Sequence, residues 1–162
     1  GTLYARLIQK GIPKSDANIA DYQNNLQISV RYENESYNEI NVDSLKQGAI
    51  FYAITTIKNP GNIGYYSSLA LTQIIPSGWE VLTDRYAVDN NNTNSDITYQ
   101  DIRDDRVLSY FNLSTFQTIV IKTRISASYA GTFYLPGIYC EAMYDNRVKA
   151  FVKGKWVKVI EN

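Results

Sequence analysis

The chain has 162 residues, of which 44% are hydrophobic and 20% charged, and 16 basic residues balance 16 acidic ones. Such a composition can bury one core, and it excludes a disordered chain and a nucleic-acid binder that works through a strong global positive field. There is no histidine and a single cysteine, Cys140, which removes Ser-His-Asp and Cys-His nucleophile systems, HExxH or cysteine-built zinc sites and any intrachain disulfide.

The first residues, Gly1-Thr2-Leu3-Tyr4, lack the charged and apolar regions of a signal peptide. A leading glycine is read as the start of a piece excised from a larger parent. Cap-competent residues at Ser15 to Asp21, and again at Asp43 to Lys46, each leave room for one turn of helix. Leu26, Ile28, Val30 and Tyr32 alternate with Gln27, Ser29 and Arg31, the period of a strand with one buried face. Ala49 to Ile57 is a denser apolar run, suited to a strand partly covered on both faces. Asn59-Pro60-Gly61 breaks it. Gly61-Asn62-Ile63-Gly64 has the spacing of a backbone-clamping GxxG loop but no flanking helices or basic neighbours, so a hairpin turn is expected.

Ser67 to Ile74 predicts a strand with Leu69 and Leu71 on one face, ended by Pro76-Ser77-Gly78. The asparagine-rich stretch Asp89 to Asp96 fails the EF-hand pattern at its sixth and twelfth positions, Asn94 and Gln100, and reads as an exposed loop. Val107 to Leu113 and Thr118 to Ala127 are further strands. In the second, Ile119, Ile121, Thr123 and Ile125 share a face while Lys122 and Arg124 point away. Gly131, Pro136-Gly137 and Gly154 mark corners around the shorter strands Thr132 to Leu135 and Lys155 to Val159. Seven or eight strands without an internal repeat or a domain boundary predict one domain over 1–162. Its fold class is all-β, an immunoglobulin-like antiparallel sandwich with at most one short helix. No stretch approaches the roughly 20 apolar residues that span a bilayer.

Two clusters invite a chemical reading. In Asp101-Ile102-Arg103-Asp104-Asp105-Arg106 adjacent carboxylates could suggest acid–base work. On a strand, however, Asp104 would lie beside Arg106 and Asp105 beside Arg103, and paired arginines favour ionised carboxylates. A structural ion-pair motif is expected. Cys140 stands next to Glu141 and near Asp145, neighbours that raise a thiol pKa, so an inert cysteine is expected. Met143-Tyr144 is an adaptable apolar pair with one polar handle, fit for packing or for a lid on a partner.

The order of motifs is more specific than any of them alone. Leu3-Tyr4-Ala5 through Gly11-Ile12-Pro13 comes first, followed by LTQIIPSGWE from Leu71 to Glu80 and YQDIRDDRVLSYF from Tyr99 to Phe111. Then come Ser128 to Phe133, Leu135-Pro136 and Glu141-Ala142-Met143-Tyr144-Asp145. In this order they resemble the C-terminal macroglobulin-like domain, often called the tenth, of bacterial α2-macroglobulins. The resemblance implies a macroglobulin-like β-sandwich from a large envelope protein that traps proteases. In that family a protease cuts a bait region, and an internal thioester in a separate domain with a CxEQ motif becomes exposed to protease lysines. Cys140 is followed by Glu141-Ala142-Met143 and does not fit that motif.

The resemblance therefore implies the domain that packs on the thioester domain, with Met143 and Tyr144 as its contact and as the shield of the thioester from water. It implies no catalysis, no metal and no cofactor. Its partners would be the thioester and neighbouring domains of the same chain and, through the full-length protein, target proteases. Nucleic acid and membrane insertion would play no part, and the location would be periplasm or cell envelope. Two other readings stay open. A free-standing adhesion or receptor-binding sandwich would expose an aromatic patch away from Met143, and a carbohydrate-active enzyme would need two carboxyls facing one cleft with one pKa raised.

Overall fold

The computed structural model describes residues 1–8, 20–82 and 97–161. Among these residues there are thirteen strands and no helix. The first six are β1 (Tyr22–Asn24), β2 (Gln27–Asn34), β3 (Ser44–Lys46), β4 (Ile50–Lys58), β5 (Tyr66–Ile74) and β6 (Trp79–Val81). The rest are β7 (Ile97–Ile102), β8 (Arg106–Leu113), β9 (Thr118–Ala127), β10 (Gly131–Leu135), β11 (Ile138–Ala142), β12 (Asp145–Val152) and β13 (Lys155–Ile160). They form a six-stranded sheet in the order β1-β12-β11-β5-β8-β7, a four-stranded sheet β2-β4-β9-β6 and a three-stranded sheet β10-β13-β3. All pairs are antiparallel except β13–β3.

The alternation read along β9 sets the core. Ile119, Ile121, Thr123, Ile125 and Ala127 all face inward, opposite the β4 residues Ile57, Thr55, Ala53 and Phe51. One end of this face, with Ile57, Ile119 and Ile121, packs on Leu69, Leu71, Phe111 and Leu113 of the six-stranded sheet. The other end, with Phe51, Ala53, Ile125 and Ala127, packs on Leu45, Leu135, Val157 and Val159 of the three-stranded sheet. The four-stranded layer thus faces two smaller sheets side by side, a sandwich whose opposite layer is split.

One long hairpin joins the two halves of that split layer. β10 pairs with β13 and β11 with β12. The hairpin crosses from the three-stranded to the six-stranded sheet at Pro136-Gly137 and Lys153-Gly154, where the strands are interrupted. Its tip is Met143-Tyr144.

Asp43 to Lys46 is not a helical turn. Ser44–Lys46 forms β3, because Leu45 turns into the core at 8% exposure and lies opposite Val159. The other helical expectation lies outside the described residues except for its last two positions, which are not helical. The asparagine-rich stretch Asp89 to Asp96 also lies outside them.

Candidate functional site

The tip of the long hairpin is a two-residue connection. Ala142 pairs with Asp145, and Met143 and Tyr144 between them are 54% and 85% exposed. The strands that carry the tip are firmly rooted. Ile138, Cys140 and Ala142 of β11 and Val148 and Ala150 of β12 all point into the core, because strand alternation sends every second side chain inward.

Three contacts shape the tip. The Met143 amide donates to the Ser68 carbonyl of β5 at 3.0 Å. The Asp145 carboxylate accepts from the Arg147 amide at 3.0 Å, from its Nε at 2.9 Å and from its Nη2 at 2.8 Å. The Arg147 carbonyl in turn accepts from Asn25 Nδ2 at 3.1 Å. The Arg147 guanidinium, helped by the Arg147 amide, lowers the Asp145 pKa to about 2.

A carboxyl depressed in the folded protein contributes stability above its unfolded pKa, about 3.9, and loses it as pH falls through the folded value. The clamp on the tip is therefore expected to be complete above about pH 4 and to be lost as pH falls through about 2. An NMR titration of the Asp145 carboxyl should show a midpoint near 2; a midpoint near 4 would mean that Arg147 does not hold it.

The remaining question is what kind of domain presents this hairpin. The family model described as the bacterial alpha-2-macroglobulin MG10 domain matches residues 26–146. The chain belongs to that family. The chain is 32% identical over 145 residues to the alpha-2-macroglobulin of Pasteurella multocida, which covers 90% of this chain and 7% of the relative. It is 26% identical over 147 residues to that of Rickettsia conorii, covering 88% of this chain and 8% of the relative. The chain thus spans less than a tenth of the length of these curated relatives.

Among solved structures, a tyrosine-to-glycine mutant of Salmonella alpha-2-macroglobulin superposes with a TM-score of 0.79 at 20% identity, over 89% of this chain and 10% of that one. The native conformation of Escherichia coli alpha-2-macroglobulin gives 0.77 at 19% identity, over 90% and 10%. At these identities the superpositions establish the macroglobulin sandwich and nothing finer.

In the MG10 domain the Asp101–Arg106 segment is not a continuous strand. Asp101 ends β7 with Ile102, Arg106 opens β8, and Arg103, Asp104 and Asp105 form the turn between them. The pairs are therefore different from those that strand alternation predicts. Arg103 Nε donates to Asp101 at 2.9 Å, and Arg106 Nε and Nη2 hold Asp105. Asp104 pairs with neither arginine, because a turn does not alternate faces. Both pairs are substantially exposed, at 65% and 26% for Arg103 and Asp101 and 44% and 56% for Arg106 and Asp105, so solvent screens them and they contribute little to stability.

The backbone of this turn is the more structural part. The Asp105 carbonyl accepts from the Ile75 amide at 2.8 Å, and the Arg106 carbonyl from the Arg103 amide at 2.9 Å. The Arg106 guanidinium holds the Asp105 carboxyl below the usual range, the opposite of what a general acid requires.

Cys140 is fully buried among Leu71, Phe111 and Ala150. Burial, and secondarily the Glu141 carboxylate, push its thiol pKa up, which keeps it a thiol and a poor nucleophile.

The sequence pattern does not single out Ser68 and Asn112, which also shape the tip. Serine carries no signal for the left-handed φ of +53° that Ser68 adopts. Asn112 reads as an ordinary solvent-facing strand residue. Arg147 is legible, since a strand residue two positions from Asp145 shares its face.

Proposed function

We propose that the domain is the non-catalytic part of a bacterial alpha-2-macroglobulin that docks on the thioester domain of its own chain. Met143 and Tyr144 cover the thioester there until a protease cuts the bait region. The observation that carries this reading is the placement of an apolar pair, 54% and 85% exposed, at the tip of a hairpin whose flanking strands are anchored in the core. An exposed apolar tip on a rigid stem suits insertion into a partner. A thioester endures only where water and amines are excluded, which an apolar plug achieves. Release after cleavage requires an interface neither large nor strongly apolar, and two residues on a narrow tip meet that requirement. Inhibition of proteases by entrapment and residence in the cell envelope complete the reading.

The test is Tyr144→Gly in a full-length parent whose upstream sequence carries CxEQ. Loss of the ring removes covering contact of about 1.4 kcal/mol, which raises the uncovered population about tenfold. The uncut protein should therefore lose its thioester to methylamine about ten times faster. Unchanged methylamine kinetics would overturn the reading.

A second reading is favoured by one observation. Trp156 and Tyr134, 66% and 50% exposed, meet edge to face at 5.5 Å on the three-stranded sheet, at the other end of the long hairpin. Such a pair is what an adhesion or receptor-binding sandwich would present. The Tyr144→Gly experiment separates the two, because only the docking reading makes methylamine kinetics depend on the tip.

A further inference from the structure

We propose that Ser68 and Asn112 are positioning residues that hold the Met143-Tyr144 tip in its docking geometry; the role of the tip in docking rests on the function proposed above. The starting point is that the tip does not specify its own shape. Two-residue hairpin connections normally use turns with positive φ, supplied by glycine, asparagine or aspartate, because other turns splay the strands. Neither Met143 nor Tyr144 has a positive φ. The pairing below them is also broken, since Glu141 lies opposite Lys149 but Ala142 lies opposite Asp145. A connection of this kind needs support from outside the hairpin.

The support comes from a bulge in the neighbouring strand. In the β5–β8 pair Tyr66 lies opposite Leu113 and Leu69 opposite Phe111, so Ser67 and Ser68 together face Asn112. A bulge of this type leaves one amide out of the ladder. Here the Asn112 side chain takes that amide, its Oδ1 accepting from Ser68 N at 2.8 Å. With its amide tied down, Ser68 sits at φ +53°, a conformation that costs any residue with a Cβ and persists only where its surroundings enforce it. The same conformation aims the Ser68 carbonyl at the Met143 amide, 3.0 Å away.

A short relay thus runs from Asn112 through Ser68 to Met143. It starts on rigid ground, because the neighbours of Asn112 on β8, Phe111 and Leu113, are fully buried. Asn112 itself is exposed, so water can satisfy the Ser68 amide when its side chain is removed. The bulge also lets both Tyr66 and Leu69 face the core, and the test must separate that packing role from positioning.

Asn112→Ala and Asn112→Asp are compared with Tyr144→Gly in the full-length parent, by hydrogen exchange at the Met143 amide and by the rate of the methylamine reaction. Asn112→Ala should speed exchange at Met143 severalfold while leaving exchange in β8 unchanged, and should accelerate methylamine attack, though less than Tyr144→Gly. Asn112→Asp, which keeps an acceptor oxygen, should restore both to the wild-type level. Unchanged Met143 exchange in Asn112→Ala, with methylamine attack accelerated by Tyr144→Gly, would overturn the positioning role and leave docking standing. Equal acceleration of exchange at Met143 and throughout β8 would overturn it as well, by showing general loosening. Methylamine kinetics unmoved by Tyr144→Gly would overturn the docking reading and, with it, the purpose assigned to the relay.

Discussion

Asn59→Ala is expected to destabilise the domain by about 3 kcal/mol. Asn59 is fully buried, and its side chain joins two loops far apart in sequence. Its Nδ2 donates to the Gly64 carbonyl at 2.6 Å and the Ser114 carbonyl at 3.1 Å, with a longer contact to the Leu113 carbonyl at 3.4 Å. Its Oδ1 accepts from the Gly61 amide at 2.8 Å, while its own amide donates to the Gln117 carbonyl at 2.9 Å. Alanine removes the side-chain bonds and leaves backbone groups of both loops without partners. Each such group costs about 1–3 kcal/mol when it stays buried. Gly61 and Gly64 lie partly at the surface, so water recovers much of the loss and the sum settles at the lower end of what the separate groups would give. In urea the unfolding midpoint should fall by roughly 1–3 M for a slope of about 1–3 kcal/mol/M, typical of small domains. A shift equivalent to less than about 1 kcal/mol would mean that water replaces the side chain fully.

Asn59 also shows which parts of the molecule are legible in the sequence. Asn59-Pro60-Gly61 announces a turn, and a turn is present, with Gly61 at φ +86°. That the asparagine is a buried hub depends on Ser114, 55 positions away, and no local pattern carries that distance. The same division runs through the fold. β2 and β9 are readable because their alternation is long, and β4 because its run from Ala49 to Ile57 is densely apolar. β11 and β12 escape notice because Cys140, Ala142 and Ala150 are small, and small inward residues give a weak periodic signal.

The ion-pair turn is misread for a related reason. Alternation is a property of strands, and Arg103 to Asp105 are not in one, so Asp105 meets its sequence neighbour Arg106 and Asp104 pairs with neither Arg103 nor Arg106. Met143-Tyr144 stands out through family resemblance more than through its residue types. Its exposed position becomes visible only when β11 and β12 are paired, and the Ser68 bulge that supports it only when β5 is laid beside β8. Family membership follows from the order of motifs, whereas the shape of the tip follows from contacts between residues 75 and 44 positions apart in the chain, a separation that periodicity does not reach.

Gly154→Ala is expected to cost about 3 kcal/mol, the upper part of the usual range for overpacking. The cause is close approach, since no left-handed φ is required at this position. A Cβ on Gly154 would stand 2.4 Å from the Leu135 carbonyl oxygen and 2.6 Å from the Tyr134 hydroxyl. The tyrosine can swing away, but the carbonyl belongs to the backbone of β10, and Leu135 is anchored in the second core cluster. Relief therefore requires β10 and β13 to part where Leu135 lies opposite Lys155. That opening propagates, because β3 is held in the sheet by three residue pairs with β13. Gly48→Ala is the matched control. Gly48 has φ +82° and open space around its Cβ position, so alanine there meets only the left-handed penalty of about 1–2 kcal/mol. Hydrogen exchange should quicken in β10, β13 and β3 of Gly154→Ala and stay slow in β11 and β12, since Cys140 and Ala150 belong to the other core cluster. If Gly154→Ala were no more destabilising than Gly48→Ala, the hairpin would be crossing between its two sheets with slack, and the tip at its far end would owe its position to the β5 bulge and the Asp145–Arg147 clamp alone.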